Sequence, residues 1–123
     1  MLADVALDVG AEYIEPAIEL STLARFFRVL SDPTRVRVLQ LLEERSRTAG
    51  ELVTAVQAAQ PRVSTHLACL RHCGFVASER RGREVVYHLQ LPDLPKLLAL
   101  AEIVARPQAD HLSRCTRIGP EWA

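Results

Sequence analysis

The chain has 123 residues, 49% of them apolar, and its fifteen basic side chains are balanced by fifteen acidic ones. That suits one domain with a hydrophobic core, is too apolar for general disorder, and contains no apolar run near the ~20 residues of a membrane span. Three cysteines do not make the even framework of a disulfide-stapled secreted domain, and the acidic start lacks the basic-then-apolar plan of a signal peptide, so a cytoplasmic protein is expected.

The zero net charge hides a segregation. Residues 1–20 carry Asp4, Asp8, Glu12, Glu15 and Glu19 with no Lys or Arg, whereas residues 60–84 carry five arginines against two glutamates. The basic stretch is where a nucleic-acid contact would be sought. Residues 1–15 read as an N-terminal acidic arm. From Pro16 the pattern turns helical, with Leu20, Leu23, Phe27 and Leu30 recurring at three- and four-residue steps through to Ser31. Asp32-Pro33 restarts the chain as N-cap and first helical residue, and a second helix over 33–45 should bury Val36, Val38, Leu39 and Leu42.

Thr48-Ala49-Gly50-Glu51 has the spacing of a capping box, in which hydroxyl and carboxylate satisfy each other's orphan amides. It predicts a short third helix with Leu52, Val53 and Val56 inward. Only Ala58–Gln60 separates this helix from a fourth, opened by Pro61 and closed by Gly74. Two short helices so tightly joined predict a helix-turn-helix. In the fourth helix Val63, Leu67 and Leu70 form an apolar stripe. The other faces carry Arg62, Ser64, Thr65 and His66, groups suited to reading a DNA groove, and two cysteines, Cys69 and Cys73, one turn apart. His66 could instead serve as a packing hydrogen-bond group.

After Gly74 the period changes from 3.6 to 2. Residues 75–78 and 85–89 read as strands flanking Arg80-Arg81-Gly82-Arg83, a hairpin whose arginine tip suits phosphates or a minor groove. A last helix over 93–106, between Pro92 and Pro107, carries Leu94, Leu97, Leu98, Ala101 and Val104. With the first helix it offers more apolar surface than so small a body covers, which predicts an interface. The expected fold is therefore mainly α with a β-hairpin wing, a winged helix-turn-helix domain over 16–106 that pairs as a homodimer on double-stranded DNA. Residues 107–123 form a polar tail carrying Cys115.

These residues resemble the ArsR/SmtB family of winged-helix metal-sensing repressors over about residues 20–106. The resemblance rests on Leu30-Ser31-Asp32-Pro33-Thr34-Arg35, on Val63-Ser64-Thr65-His66-Leu67 with Leu70, and on Arg81-Gly82-Arg83 to Tyr87. It implies a homodimer that holds a palindromic operator and leaves it when inducer binds. Family members place metal ligands at several points on one scaffold. A Cys-x-Cys pair before the reading helix is missing, since residues 51–55 hold no cysteine, and residues 93–106 hold no histidine for a site on the last helix. What remains is Cys69, Cys73 and Cys115. This layout is similar to that of a cadmium/lead-sensing member, which takes two thiolates from the reading helix and one from the partner's tail.

The chemistry agrees. Helical side chains at i, i+4 have Cβ atoms about 5–6 Å apart, so two sulfurs can converge on one ion at ~2.3 Å bonds. Thiolates select soft ions, and three without a fourth ligand suit Cd(II) or Pb(II), with Hg(II) and As(III) as further candidates. His72 and His111 are weaker ligand candidates, and His88 reads as strand surface. A thiol redox sensor on the same scaffold is the alternative. It is strained for Cys69–Cys73, because a disulfide needs Cβ atoms about 3.5–4.5 Å apart, whereas Cys115 could pair with either. An enzyme using His66 and a cysteine is not expected, since no Gly-rich loop or oxyanion arrangement accompanies them.

Overall fold

A computed structural model describes residues 17–118, so the acidic arm expected over 1–15 lies outside the described residues. Helix α1 spans Leu20–Val29 and α2 spans Pro33–Glu44; a two-residue strand β1, Arg47–Thr48, leads into α3, Ala49–Val56. Helix α4 follows at Gln60–His72, then strands β2, Val76–Arg81, and β3, Glu84–Leu89. Helix α5, Leu94–Ala105, continues through a 3-10 turn, Arg106–Gln108, into α6, Ala109–Arg114.

Local signals account for most boundaries. The Asp32 carboxylate accepts from the Thr34 and Arg35 amides at 2.8 and 3.1 Å, capping α2 at Pro33. At α3 the capping box is complete: the Glu51 amide donates to Thr48 Oγ1 at 3.1 Å and the Thr48 amide to Glu51 Oε1 at 2.8 Å. Helix α3 ends at Gln57, whose left-handed backbone (φ 56°) turns the chain towards α4. Helix α4 ends in a Schellman motif, with Gly74 at φ 82°. The Gly74 amide reaches the Arg71 carbonyl at 3.1 Å and the Phe75 amide the Leu70 carbonyl at 2.9 Å.

The sheet is antiparallel in the order β1-β3-β2. Its third strand, β1, was not expected from sequence: Arg47 pairs with Tyr87 and Thr48 with Val86. The wing strands also run further than expected, so Arg80 and Arg81 are strand residues paired with Val85 and Glu84, and only Gly82-Arg83 forms the turn. Positive φ at Gly82 alone (64°) is the signature of a type II′ turn.

The core gathers Val38, Leu39, Leu41 and Leu42 of α2, Leu52 of α3, Val63, Leu67 and Leu70 of α4, and Phe75, Val76 and Leu94. Val36, Val53 and Val56 are half-buried. Helix α1 buries no residue completely; Phe26 stacks on Phe75 with ring centroids 5.3 Å apart and fastens α1 to the body. Helix α5 is covered mainly at its start, where Leu94 is buried. The segment expected as a polar tail is helical in part, since Pro107 falls in the 3-10 turn, where its missing amide costs no helical hydrogen bond.

Candidate DNA-reading helix and thiol pair

Burial of Val63, Leu67 and Leu70 fixes the rotation of α4 and turns Arg62, Ser64 and Thr65 outward. Three of the four α4 side chains expected on DNA are therefore exposed at the start of the helix, directly after the tight α3–α4 turn. The Thr65 hydroxyl donates to the Pro61 carbonyl at 3.0 Å.

His66 differs from the other three. Its side chain is 13% exposed, with Nε2 3.5 Å from Asp32 Oδ1 and Nδ1 3.3 Å from Arg35 Nη1. Nδ1 accepts from a permanent cation, so Nε2 carries the ring proton. Burial pushes the imidazole below its ordinary range; Asp32 pulls the other way, and Arg35 and Arg62 add to the lowering. His66 is thus a neutral joint between α4 and the start of α2, with both ring nitrogens facing protein partners. Arg35 completes the corner by donating from Nε to the Val29 carbonyl at 2.6 Å and from Nη2 to the Arg28 carbonyl at 3.1 Å. It thereby caps the C-terminal carbonyls of α1. Sequence reasoning assigned nothing to Arg35, whose partners on α1 and α4 only the fold brings together.

On the wing, Arg80, Arg81 and Arg83 are all exposed. Arg81 is engaged by Glu79, with Nε 3.0 Å from Oε1, so part of its charge is offset within β2.

Cys69, Cys73 and Cys115 are all free thiols. Cys73 is the C-cap of α4, its amide donating to the Cys69 carbonyl at 2.9 Å, which holds the two residues one closed turn apart. The Cys73 thiol is pushed up by burial and by the charge and hydrogen bond of Cys69, with Arg35 acting in the opposite direction. Cys69 and Cys73 are therefore electrostatic neighbours, and thiophilic chemistry fits this donor pair. Cys115, half-buried at the end of α6, does not join them: no group of three His, Cys, Asp or Glu side chains placed to hold a metal occurs among the described residues. His111 lies one turn before Cys115 in α6, and His72 is exposed beside Cys73. No helix among the described residues is long and apolar enough to cross a membrane.

Residues 32–78, from the α2 cap to the middle of β2, match the family described as bacterial regulatory protein, arsR family. The chain is 42% identical over 106 residues to the "probable mercury resistance operon repressor" of Streptomyces lividans, a match covering 86% of this chain and 85% of that protein. The chain belongs to the ArsR family. CmtR of Mycobacterium bovis, named as an HTH-type transcriptional regulator, is 42% identical over 92 residues, covering 74% of this chain and 78% of that one. Among solved structures, a homodimeric winged helix-turn-helix DNA-binding domain from M. bovis superposes with a TM-score of 0.64 at 28% identity, covering 75% of this chain and 85% of that one. As an ArsR-family member the protein is a winged-helix transcriptional repressor and not an enzyme.

Proposed function

We propose that this repressor works as a homodimer, holds a palindromic operator in its metal-free form, and releases it when a thiophilic ion is bound by Cys69, Cys73 and Cys115. The observation that carries the reading is the adjacent pair Cys69 and Cys73 on the same helix that exposes Arg62, Ser64 and Thr65. Arg62, Ser64 and Thr65 address base edges, His66 fixes the helix against α2, and Arg80, Arg81 and Arg83 meet phosphates. Because Cys115 stands apart from the pair within one chain, the third thiolate comes from the partner's tail.

Cys69 and Cys73 would release their protons to solvent as their sulfurs take the ion, and closing the ligand set against the tail would strain the placement of α4 in its groove. By linkage, DNA then weakens ion binding by the same factor that the ion weakens DNA binding, with coupling of about 1–3 kcal/mol. Cd(II) and Pb(II) are favoured by the three-thiolate set, and the S. lividans relative, named for mercury resistance, adds Hg(II); As(III) also suits thiolates. A redox switch through Cys69 and Cys73 is disfavoured because the two lie one closed helical turn apart, with Cβ atoms about 5–6 Å apart, farther than the about 3.5–4.5 Å of a disulfide.

The test is an operator-binding titration with Cd(II), Pb(II), Hg(II), Zn(II) and As(III) on wild type and Cys115→Ser. Wild type should release DNA with a soft ion while developing a sulfur-to-metal ultraviolet band. Cys115→Ser should bind DNA as tightly and need at least tenfold more ion, within the ~5–150-fold span of such couplings. A full response without Cys115 would sink the three-thiolate site, and release by peroxide alone, reversed by dithiothreitol, would sink metal sensing.

A further inference from the structure

The Thr65 side chain, on the exposed face of α4, has one hydroxyl proton, and the structure commits it to the Pro61 carbonyl at 3.0 Å. A threonine hydroxyl has a single donor and two acceptor lone pairs. Bonding back to the i−4 carbonyl is a staggered rotamer that a helix allows to threonine, and it sends the Cγ2 methyl to the other accessible position. What Thr65 offers an incoming surface is therefore a methyl group and an oxygen that can only accept. Its neighbours are complementary. Arg62 is an all-donor group suited to guanine, and Ser64, which lines a shallow cleft between α3 and α4 with Gln60 and Val63, has no methyl to offer.

We infer that Thr65 is a specificity-determining residue that reads the 5-methyl group of a thymine in each half of the operator through its own methyl group. Among the base edges of the major groove, the thymine C5-methyl is the single apolar feature, and threonine methyls are among its natural partners. The acceptor-only edge of guanine is disfavoured at this position, because contacting it would require the proton that Pro61 holds. The inference rests on the reading that α4 enters the major groove.

The experiment begins with a random double-stranded DNA library selected on the full-length protein. The selected sequence is then remade with deoxyuridine replacing each thymine in turn, which removes only the methyl group. Wild type should lose about fourfold in affinity at one thymine of each half-site, the worth of one buried methyl, and little elsewhere. Thr65→Val keeps the methyl and should retain both affinity and the uracil penalty at that position. Thr65→Ser keeps the hydroxyl and should bind more weakly, with no penalty there. The inference is overturned if Thr65→Ser keeps wild-type affinity and penalty while Thr65→Val loses them, or if no thymine position responds to uracil. Failure of the underlying reading looks different, because Arg62→Ala, Ser64→Ala and Thr65→Ala would then all leave the selected sequence unchanged.

Discussion

Asp32 does two jobs with one carboxylate, and both bear on pH. Its Oδ1 accepts the first-turn amides of α2 and faces the His66 ring. Partial burial pushes this carboxyl up, but the Arg35 amide, His66, the Thr34 amide and the Arg35 guanidinium together bring it below its ordinary value of 3.8. A depressed carboxyl adds stability that is present above the unfolded value and lost as pH falls through the folded one. Asp32→Ala should therefore cost about 1 kcal/mol in urea unfolding near neutrality, the usual worth of an N-cap. It should also flatten the part of the stability profile below about pH 4. His66 acts in a separate window. Its folded value lies below 6.5, so between the two values the unfolded chain binds the extra proton and folding is favoured as pH rises, levelling off near 6.5. Imidazole resonances followed by NMR should give a midpoint below 6.5 with the proton on Nε2 at neutrality; a midpoint above 6.5 would remove the neutral joint.

At the scale of elements, the wing depends on one backbone position. Gly82 sits at φ 64° with nothing within 4 Å of where a Cβ would stand, so Gly82→Ala meets conformational strain and no clash. The cost should be about 1–2 kcal/mol, the left-handed penalty of an L-residue, read as a lowered urea midpoint with an unchanged m-value. The features legible in sequence were those whose signal and consequence lie within one turn: the Asp32-Pro33 start, the Thr48–Glu51 box, the Gly74 stop and the Cys69–Cys73 spacing. The illegible ones depend on partners remote in the chain. Strand β1 exists because Thr48 finds Val86, and His66 turns inward because Asp32 and Arg35 wait for it across the fold. The arginine tip shrank to Arg83 because cross-strand pairing drew Arg80 and Arg81 into β2. The separation of Cys115 from the thiol pair was equally beyond reach, since no local pattern sets the path of a tail.

For the whole molecule, the unfinished surface is the informative one. Helix α1 exposes Leu20 at 82% and Phe27 at 51%, and α5 exposes Ile103 at 61% and Val104 at 69%. Between them Phe27, Leu30, Val36, Leu97, Leu98 and Ala101 line an apolar groove of about 460 Å³. Such continuous apolar area is seldom left to water, and a two-fold pairing through it would set two reading helices about one DNA turn apart. Ile103→Glu places a charge on that face without touching the core. The folded monomer should survive, with unchanged circular dichroism and a halved sedimenting mass. DNA binding should fall by about 10² or more, because two linked half-site contacts become one. The same variant tests the thiol site independently of DNA. If the third thiolate crosses between subunits, the Ile103→Glu monomer should titrate with Cd(II) as a two-thiolate protein, with a weaker sulfur-to-metal band that Cys115→Ser no longer changes. A monomer whose band still depends on Cys115 would put all three sulfurs on one chain and require the tail to fold back onto α4.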